Sequence, residues 1–450
     1  MRYRYFRFVQ VLAVLAAATA METSWAQVAP RIVTLEDLER MAVERNPTLG
    51  QAQADVAAAA GLARQAGLYP NPVLSAVGEE VSGGPIIRGG EFGGGFQQRI
   101  VTAGKLGLSR KVAEQGRAIT EEAAKAQRQR VVNAVRVLYY QALSDQYRIR
   151  VRTNLSQLAS EAVRIAGELA NVGQADQPDL LAAEVEAQRI QLDLADAVNR
   201  QERTWRQLSA VVNDPTLRPV PLTGELEIVP RLDVEQALQV IYDDSPELRA
   251  ANIDVKRAEM ALSRARKEVI PDVIVSGGVR YNRELLETIN GTGLRRPVGP
   301  EGFFDIGVQL PIFNRNQGNV AAARAGVDRA KLEVDRTRLA LRSRLAEAYR
   351  EYRTALMRAD QYKQDVLPKA QKAYELYLNN FRRMAAAYPQ ALIAQRNLFQ
   401  LQDAYVDSLT SVWQRSVEIQ GLLLTGGVDL SGSNISLEQM LKQSGGGAIP

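Results

Sequence analysis

The sequence predicts a mainly α-helical chain with a small β part, a duplicated unit of helix, strand pair and long helix. Three observations carry this. Residues 106–171 contain no proline and are dense in Ala, Glu, Gln, Arg and Leu; as one helix, at about 1.5 Å of rise per residue, they span about 100 Å. Residues 34–72 and 233–271 are copies of each other: Pro47 matches Pro246 and Pro72 matches Pro271 at one common separation. Tyr139 with Tyr349 and Pro178 with Pro389 match at a slightly larger one. Finally, each copy holds two stretches, 73–81 with 92–100 and 272–281 with 302–310, about as long as tilted bilayer-spanning strands.

The chain opens on an address. Arg2, Arg4 and Arg7 precede an apolar run from Phe8 to Ala20, and Ser24-Trp25-Ala26 ends in a small-x-small cleavage pattern. We expect a signal peptide over 1–26 and a mature start near Gln27. No later stretch approaches 18 consecutive apolar residues, so any membrane passage must use strands.

Composition narrows the function. The 450 residues are 24% charged and 46% hydrophobic, typical of neither disorder nor a helical membrane bundle. A formal charge of +5, with Lys and Arg interspersed among Asp and Glu, does not suggest a nucleic-acid partner. There is no Cys, which rules out disulfides and a lipid-modified cysteine anchor, and no His, the commonest metal ligand and general base. No pair of carboxylates falls in a recognisable pocket motif. The expectation is therefore no enzyme, no cofactor and no metal site. Ala103-Gly104-Lys105 is not a phosphate loop, because Leu106 follows the Lys and Arg99 stands where the first glycine belongs.

The first unit is 27–212. Thr34 to Leu68 reads as helix, with Thr34 as N-cap, Asp37 three residues on, and an interruption at Asn46-Pro47. Pro70-Asn71-Pro72 stops it before the strands at 73–81 and 92–100. The long helix 106–171 carries an apolar 3-4 seam at Val151, Leu155, Leu158, Ala162, Ile165, Leu169 and Val172. After a tight turn, 178–212 returns as a helix. A linker, 213–231, leads to the second unit, 232–424, with strands 272–281 and 302–310, long helix 320–384 and return helix 389–424. Pro368 should kink or break the second rod. Residues 425–450 form a Gly-rich tail. In each unit the two shorter helices laid end to end match the rod, which suggests that they stack beside it.

The last strand alternates, with Phe304, Ile306, Val308 and Leu310 opposite Asp305, Gly307 and Gln309, as lipid outside and water inside require. Phe92, Phe96, Phe303, Phe304 and Phe313 are expected to form an interfacial girdle. Four strands cannot close a barrel, and an open sheet in lipid leaves unsatisfied edges. Closure needs at least two copies of the chain.

Taken together, the duplicated pattern resembles the TolC-type outer-membrane factors. The segments AGLYPNPVLSAVGEE (66–80) and QQRIVTAGKLGLSRKVAEQ (97–115) look most like its CzcC-like heavy-metal efflux branch. The resemblance spans Thr34 to Leu424. It implies a homotrimer with a twelve-stranded outer-membrane β-barrel, four strands per chain, continued by a long periplasmic α-helical barrel. It also implies partners: a periplasmic adaptor and an inner-membrane pump of the RND type. The function implied is a passive exit channel for heavy-metal cations, extending from the outer membrane into the periplasm. A drug-efflux or type I secretion channel is the alternative within the family; a periplasmic coiled-coil adaptor or scaffold is the alternative of another class.

In that family the helix-turn-helix tips close the periplasmic mouth. The first tip here has Gly173 at the turn, Pro178 opening the return helix, and Asp176 and Asp179 as candidates for a ring of negative charge. The second departs from the pattern, with Met384 where Gly is usual and Gln390 where Asp is frequent. Arg382 or Arg383 is expected to pair with Asp179 and hold the mouth shut.

Overall fold

The computed structural model describes residues 33–79, 90–172, 176–286, 296–383 and 388–428. The expected signal peptide, the tail beyond 428, the hairpin loops between the strands, Gly173 and Met384 lie outside them.

Each unit opens on the same local chemistry. Helix α1, Leu35–Arg45, begins with a capping box in which Thr34 Oγ1 accepts from the Asp37 N–H and the Asp37 carboxylate accepts from the Thr34 N–H. Asn46 then ends α1 and caps α2, Pro47–Gln65, whose first position is the proline. The second unit repeats this with Asp233 capping α5, Val234–Asp244, and Ser245 capping α6, Pro246–Lys267. A chain break that needs no backbone N–H is made in both places by a polar cap followed by proline.

The strands β1, Val73–Glu79, and β2, Glu91–Ile100, pair with β3, Val273–Leu286, and β4, Arg296–Val308. They form one antiparallel sheet in the order β1-β2-β3-β4, so the two units join at β2 and β3. β1 and β4 are left as open edges.

The first rod is continuous: α3 runs Lys105–Asn171 and α4 returns as Gln177–Val212. Ala103 (φ 57°) and Gly104 (φ 69°) occupy the left-handed region in succession, and that sharp turn sends the chain from sheet into helix. The second rod carries an interruption in its hydrogen-bond ladder but does not end there. It is α7, Gln317–Gln361, a π-turn at Tyr362–Val366, and α8, Leu367–Arg382, followed by α9, Tyr388–Gln420. Pro368 lies in the first turn of α8, and the π-turn before it absorbs the missing N–H without ending the rod.

Three apolar clusters hold the helices. One gathers Leu38, Val131, Val135, Tyr139, Trp205, Leu208 and Leu409 midway along the rods. The second lies in the other unit around Ile241, Leu341, Leu345, Tyr352 and Val412. The linker is sewn to both: Leu222 and Leu226 are buried, Tyr139 Oη donates to the Thr223 carbonyl, and Tyr352 Oη donates to Pro230 O at 2.6 Å.

The expected seam is rotated. The buried positions on lower α3 are Arg152, Ala159, Ala162 and Ala166, whereas Leu158 and Val172 are 43% and 66% exposed. Alanine lets helix backbones approach closely, so the fully buried side of α3 is its small-residue stripe; of the expected seam Ala162 lies in that stripe, Ile165 and Leu169 pack partly buried against it, and Leu158 and Val172 are left exposed.

Candidate functional site

Register assigns every strand residue to one of two sheet faces, because side chains alternate along each strand. Leu74, Phe96, Gly277 and Phe304 make one row across all four strands. Adjacent rows on that face are Ala76, Gly94, Val279 and Gly302 on one side and Gln98, Val275 and Ile306 on the other, followed by Ile100, Val273 and Val308, so Gln98 is the one polar residue among these rows. The face is apolar and open, with Leu74 83% and Phe304 69% exposed.

The opposite face is polar. Its rows are Val73, Gln97, Ser276 and Asp305; Val77, Gly93, Arg280 and Glu301; Glu79, Glu91, Asn282 and Gly299. Arg280 Nη1 lies 2.7 Å from carboxylate oxygens of both Glu79 and Glu91, and its Nε lies 3.5 Å from Glu301. Asn282 Nδ2 donates to Glu91 at 2.8 Å. One guanidinium thus ties carboxylates from three other strands together.

Phe303 belongs to this polar face, not to an aromatic girdle on the other. Its ring lies over glycine: a Cβ on Gly278 would come within 2.7 Å of the ring and one on Gly95 within 3.1 Å. The expectation of five girdle residues is corrected to Phe92, Phe96 and Phe304 on the apolar face, with Phe313 beyond the strand at 92% exposure.

The same glycines report curvature. On the polar side a Cβ at Gly93 would strike Val279 O at 2.2 Å, and one at Gly278 would strike Gly94 O at 2.4 Å. Gly302 on the apolar side has its nearest neighbour at 3.9 Å. A Cβ at Gly277, also on the apolar side, would meet the Phe96 ring at 3.3 Å and Phe303 O at 3.4 Å, so the backbone clashes below 3 Å fall at Gly93 and Gly278 on the polar face, as a sheet curled toward that face requires, and glycine at those positions permits it.

Where sheet meets rods, Asp272 is the fixed point. It accepts from Lys105 Nζ at 2.8 Å, the Thr102 N–H at 3.1 Å and Arg99 Nε at 2.8 Å. Burial alone would raise its pKa, but these three donors outweigh it and hold the carboxyl below its ordinary range.

At the far end of the rods the two hairpins meet. Ala162 and Ala166 of α3, Ala183 of α4, Phe381 of α8 and Leu392 of α9 share a buried cluster. Above it runs a charged ladder that sequence reading missed. Arg396 of α9 pairs with buried Glu186 of α4 at 2.5 Å; Arg152 of α3 reaches Asp403 at 2.9 Å, and Arg148 binds Asp407. The signal was present as Arg148 and Arg152 one turn apart on one helix and Asp403 and Asp407 one turn apart on another.

The tip residues named from sequence are only partly gathered. Asp176 is the exposed N-cap of α4, and Asp179 is half-buried in its first turn. Arg382 ends α8, Arg383 is exposed just beyond it, and Gln390 is exposed in the first turn of α9. Among the described residues of one chain, no ion pair joins Asp179 to Arg383. Nor do any three acidic side chains there converge as a metal site. No described helix is long and apolar enough to cross a membrane.

A family model described as "Outer membrane efflux protein" matches residues 38–214 and 237–423. The cobalt-zinc-cadmium resistance protein CzcC of Cupriavidus metallidurans is 25% identical over 391 residues, 87% of this chain and 90% of that protein. Protein CyaE of Bordetella pertussis is 25% identical over 223 residues, 48% of this chain and 46% of CyaE. A solved structure of CusC superposes with a TM-score of 0.74 at 17% identity, covering 90% of this chain and 95% of that one. The outer membrane protein VceC of Vibrio cholerae gives 0.69 at 19%, covering 88% and 97%.

Proposed function

Since the family match covers most of both units, the chain belongs to the outer membrane efflux protein family, and from that premise we propose that it is the exit channel of a tripartite efflux system. One observation carries the reading: an open four-stranded sheet with an apolar face, a charged face, and its tightest backbone crowding, at Gly93 and Gly278, on the charged side. Such a sheet satisfies its edges only by pairing β1 of one copy with β4 of another. Three copies give a twelve-stranded barrel whose Arg280 and Glu clusters face water, with the rods continuing the bore into the periplasm.

In this reading the exposed branched residues of the rods are covered by neighbouring copies. Leu332 and Leu339 on α7, and Leu181, Val185 and Leu192 on α4, lie at heptad-like spacings and are each more than half exposed in one chain. Export uses the signal peptide at 1–26. The channel is passive, works with a periplasmic adaptor and an RND-type pump, and binds no cofactor.

Heavy-metal cations are the proposed cargo, supported by the similarity to CzcC. A deletion strain should become sensitive to zinc, cobalt, nickel or copper salts; sensitivity to dyes and antibiotics alone would replace the metal reading with a drug-efflux one. Cross-linking in outer-membrane fractions should give a trimer, whereas a soluble monomer would overturn the channel itself. At the mouth, Asp176 and Asp179 of three chains form an acidic ring beside Arg382, Arg383 and Gln390, and Arg383 latches to Asp179 of a neighbouring copy. Asp179→Ala and Arg383→Ala should each raise closed-state conductance in planar bilayers; unchanged conductance in both removes the latch.

A further inference from the structure

Four chain segments meet where the sheet ends and the helices begin. A Cβ on Gly67 after α2 would sit 3.1 Å from Arg110 of α3. Arg264 Nε of α6 donates to Ser109 Oγ of α3 at 3.0 Å, and Asn316 Nδ2 before α7 donates to Ala265 O of α6 at 2.8 Å. The segments 64–72, 99–114, 264–272 and 310–317 therefore form one level of the molecule.

That level is unbalanced in charge. It carries nine Lys and Arg against three Asp and Glu. All three carboxylates are engaged: Asp272 with Lys105 and Arg99, Glu114 with Arg110, Glu268 with Arg264. Arg64, Lys111, Arg266, Lys267 and Arg315 remain, all exposed and none ion-paired among the described residues.

Immediately beside these cations is exposed apolar surface. Leu310 and Ile312 continue the alternation of Phe304, Ile306 and Val308 past the end of β4, at 68% and 62% exposure. Phe313 is 92% exposed, and Leu68 and Tyr69 on the neighbouring segment are 52% and 65% exposed. Apolar and aromatic side chains followed within a few residues by unpaired cations is the order met on leaving a bilayer, acyl chains first and phosphates next.

We infer that this junction is a binding belt for anionic phospholipid headgroups of the periplasmic leaflet, with Arg64, Lys111, Arg266, Lys267 and Arg315 as phosphate contacts and Phe313 and Ile312 against the upper acyl chains. The inference rests on the outer-membrane reading above and adds a lipid preference to it. Complementing the dipoles of α2 and α6 is a role some of these cations have in any case, but it produces no discrimination between lipids.

The test uses the full-length assembly reconstituted in phosphatidylcholine vesicles. Trace spin-labelled phosphatidylglycerol or phosphatidylcholine reports the lipid at the protein surface by electron spin resonance. Phosphatidylglycerol should be preferred about fivefold, as one basic residue at an anionic surface confers. The preference should fall to about one in the R64Q/K111Q/R266Q/K267Q/R315Q variant and persist in R266K/R315K. Insertion with equal association of both lipids by the unaltered protein overturns the belt and leaves the channel intact. Failure of the unaltered protein to enter either vesicle overturns both.

Discussion

Replacing Gly278 by Ala tests whether the charged face of the sheet is its concave face. The added methyl would lie 2.4 Å from Gly94 O and 2.8 Å from Gly95 Cα, and 2.7 Å from the Phe303 ring. The ring can swing aside; the two backbone atoms belong to the paired strand β2 and can move only if the sheet opens. Overpacking of this kind costs about 1–3 kcal/mol. A barrel closed from three copies meets the same clash three times, about 3–9 kcal/mol per assembly if the sites act independently. The matched control is Gly302→Ala on the apolar face, whose methyl would have no neighbour nearer than 3.9 Å. Both changes exchange Gly for Ala in a strand, so their difference isolates curvature from propensity. The assay is the temperature at which the detergent-resistant oligomer dissociates on unheated gels. Gly278→Ala should lower it well below Gly302→Ala. If the two variants dissociate together, the sheet is not bent toward Arg280 and its carboxylates, and the assignment of that face to the bore fails.

The remaining predictions concern the charged contacts. Asp403→Asn leaves Arg152 and Arg148 short of a carboxylate in a helix interface where both are nearly buried; it should cost about 3 kcal/mol in denaturant unfolding, the low end for a broken buried pair because Asp403 is partly exposed. A loss below 1 kcal/mol would reduce the ladder to a surface decoration. Asp272 has a folded-state pKa below its unfolded value, so its contribution is complete above the ordinary carboxylate range and is lost as pH falls through the lowered value. Asp272→Asn should therefore lower the melting temperature at neutral pH, with the gap to the unaltered protein closing in acid; a pH-independent gap would contradict the clamp.

What the sequence made legible was local. A proline-free run gives a rod, alternation gives a strand, and a polar residue before proline gives a helix start, each decided by neighbours along the chain. The Arg280 cluster was invisible for the converse reason. Glu79, Glu91 and Glu301 come to one guanidinium only through the registers of three strand pairs, and a slip of one residue would send Arg280 to the other face. Phe303 was misplaced because adjacent Phe303 and Phe304 look alike in a hydrophobic count, although alternation puts them on opposite sides. The seam of α3 was drawn mostly through the larger residues. Only part of it holds, with Ala162 buried and Ile165 and Leu169 packed against the tip cluster, because close helix packing centred the interface on Ala159, Ala162 and Ala166.

The two units, alike in sequence pattern, differ mechanically. In the first, α3 is unbroken from the Asp272 clamp to the tip, so a displacement at one end is carried along the rod. In the second, the rod is held to the linker just before and within the π-turn: Arg231 meets Asp360 at 2.9 and 3.0 Å, and Lys363 meets Glu227 at 2.5 Å. The π-turn at Tyr362–Val366 lies there, and α8 continues the rod below it. A π-turn loosens the regular ladder and offers a place where bending is absorbed. Motion of the second tip should accordingly stop at this level, while motion of the first reaches the sheet. Amide exchange at 362–366 is the measure: it should outpace exchange at 152–156, the matching stretch of the continuous rod. Equal protection of the two stretches would mean that the second rod is as stiff as the first and that the division of labour between the units is absent.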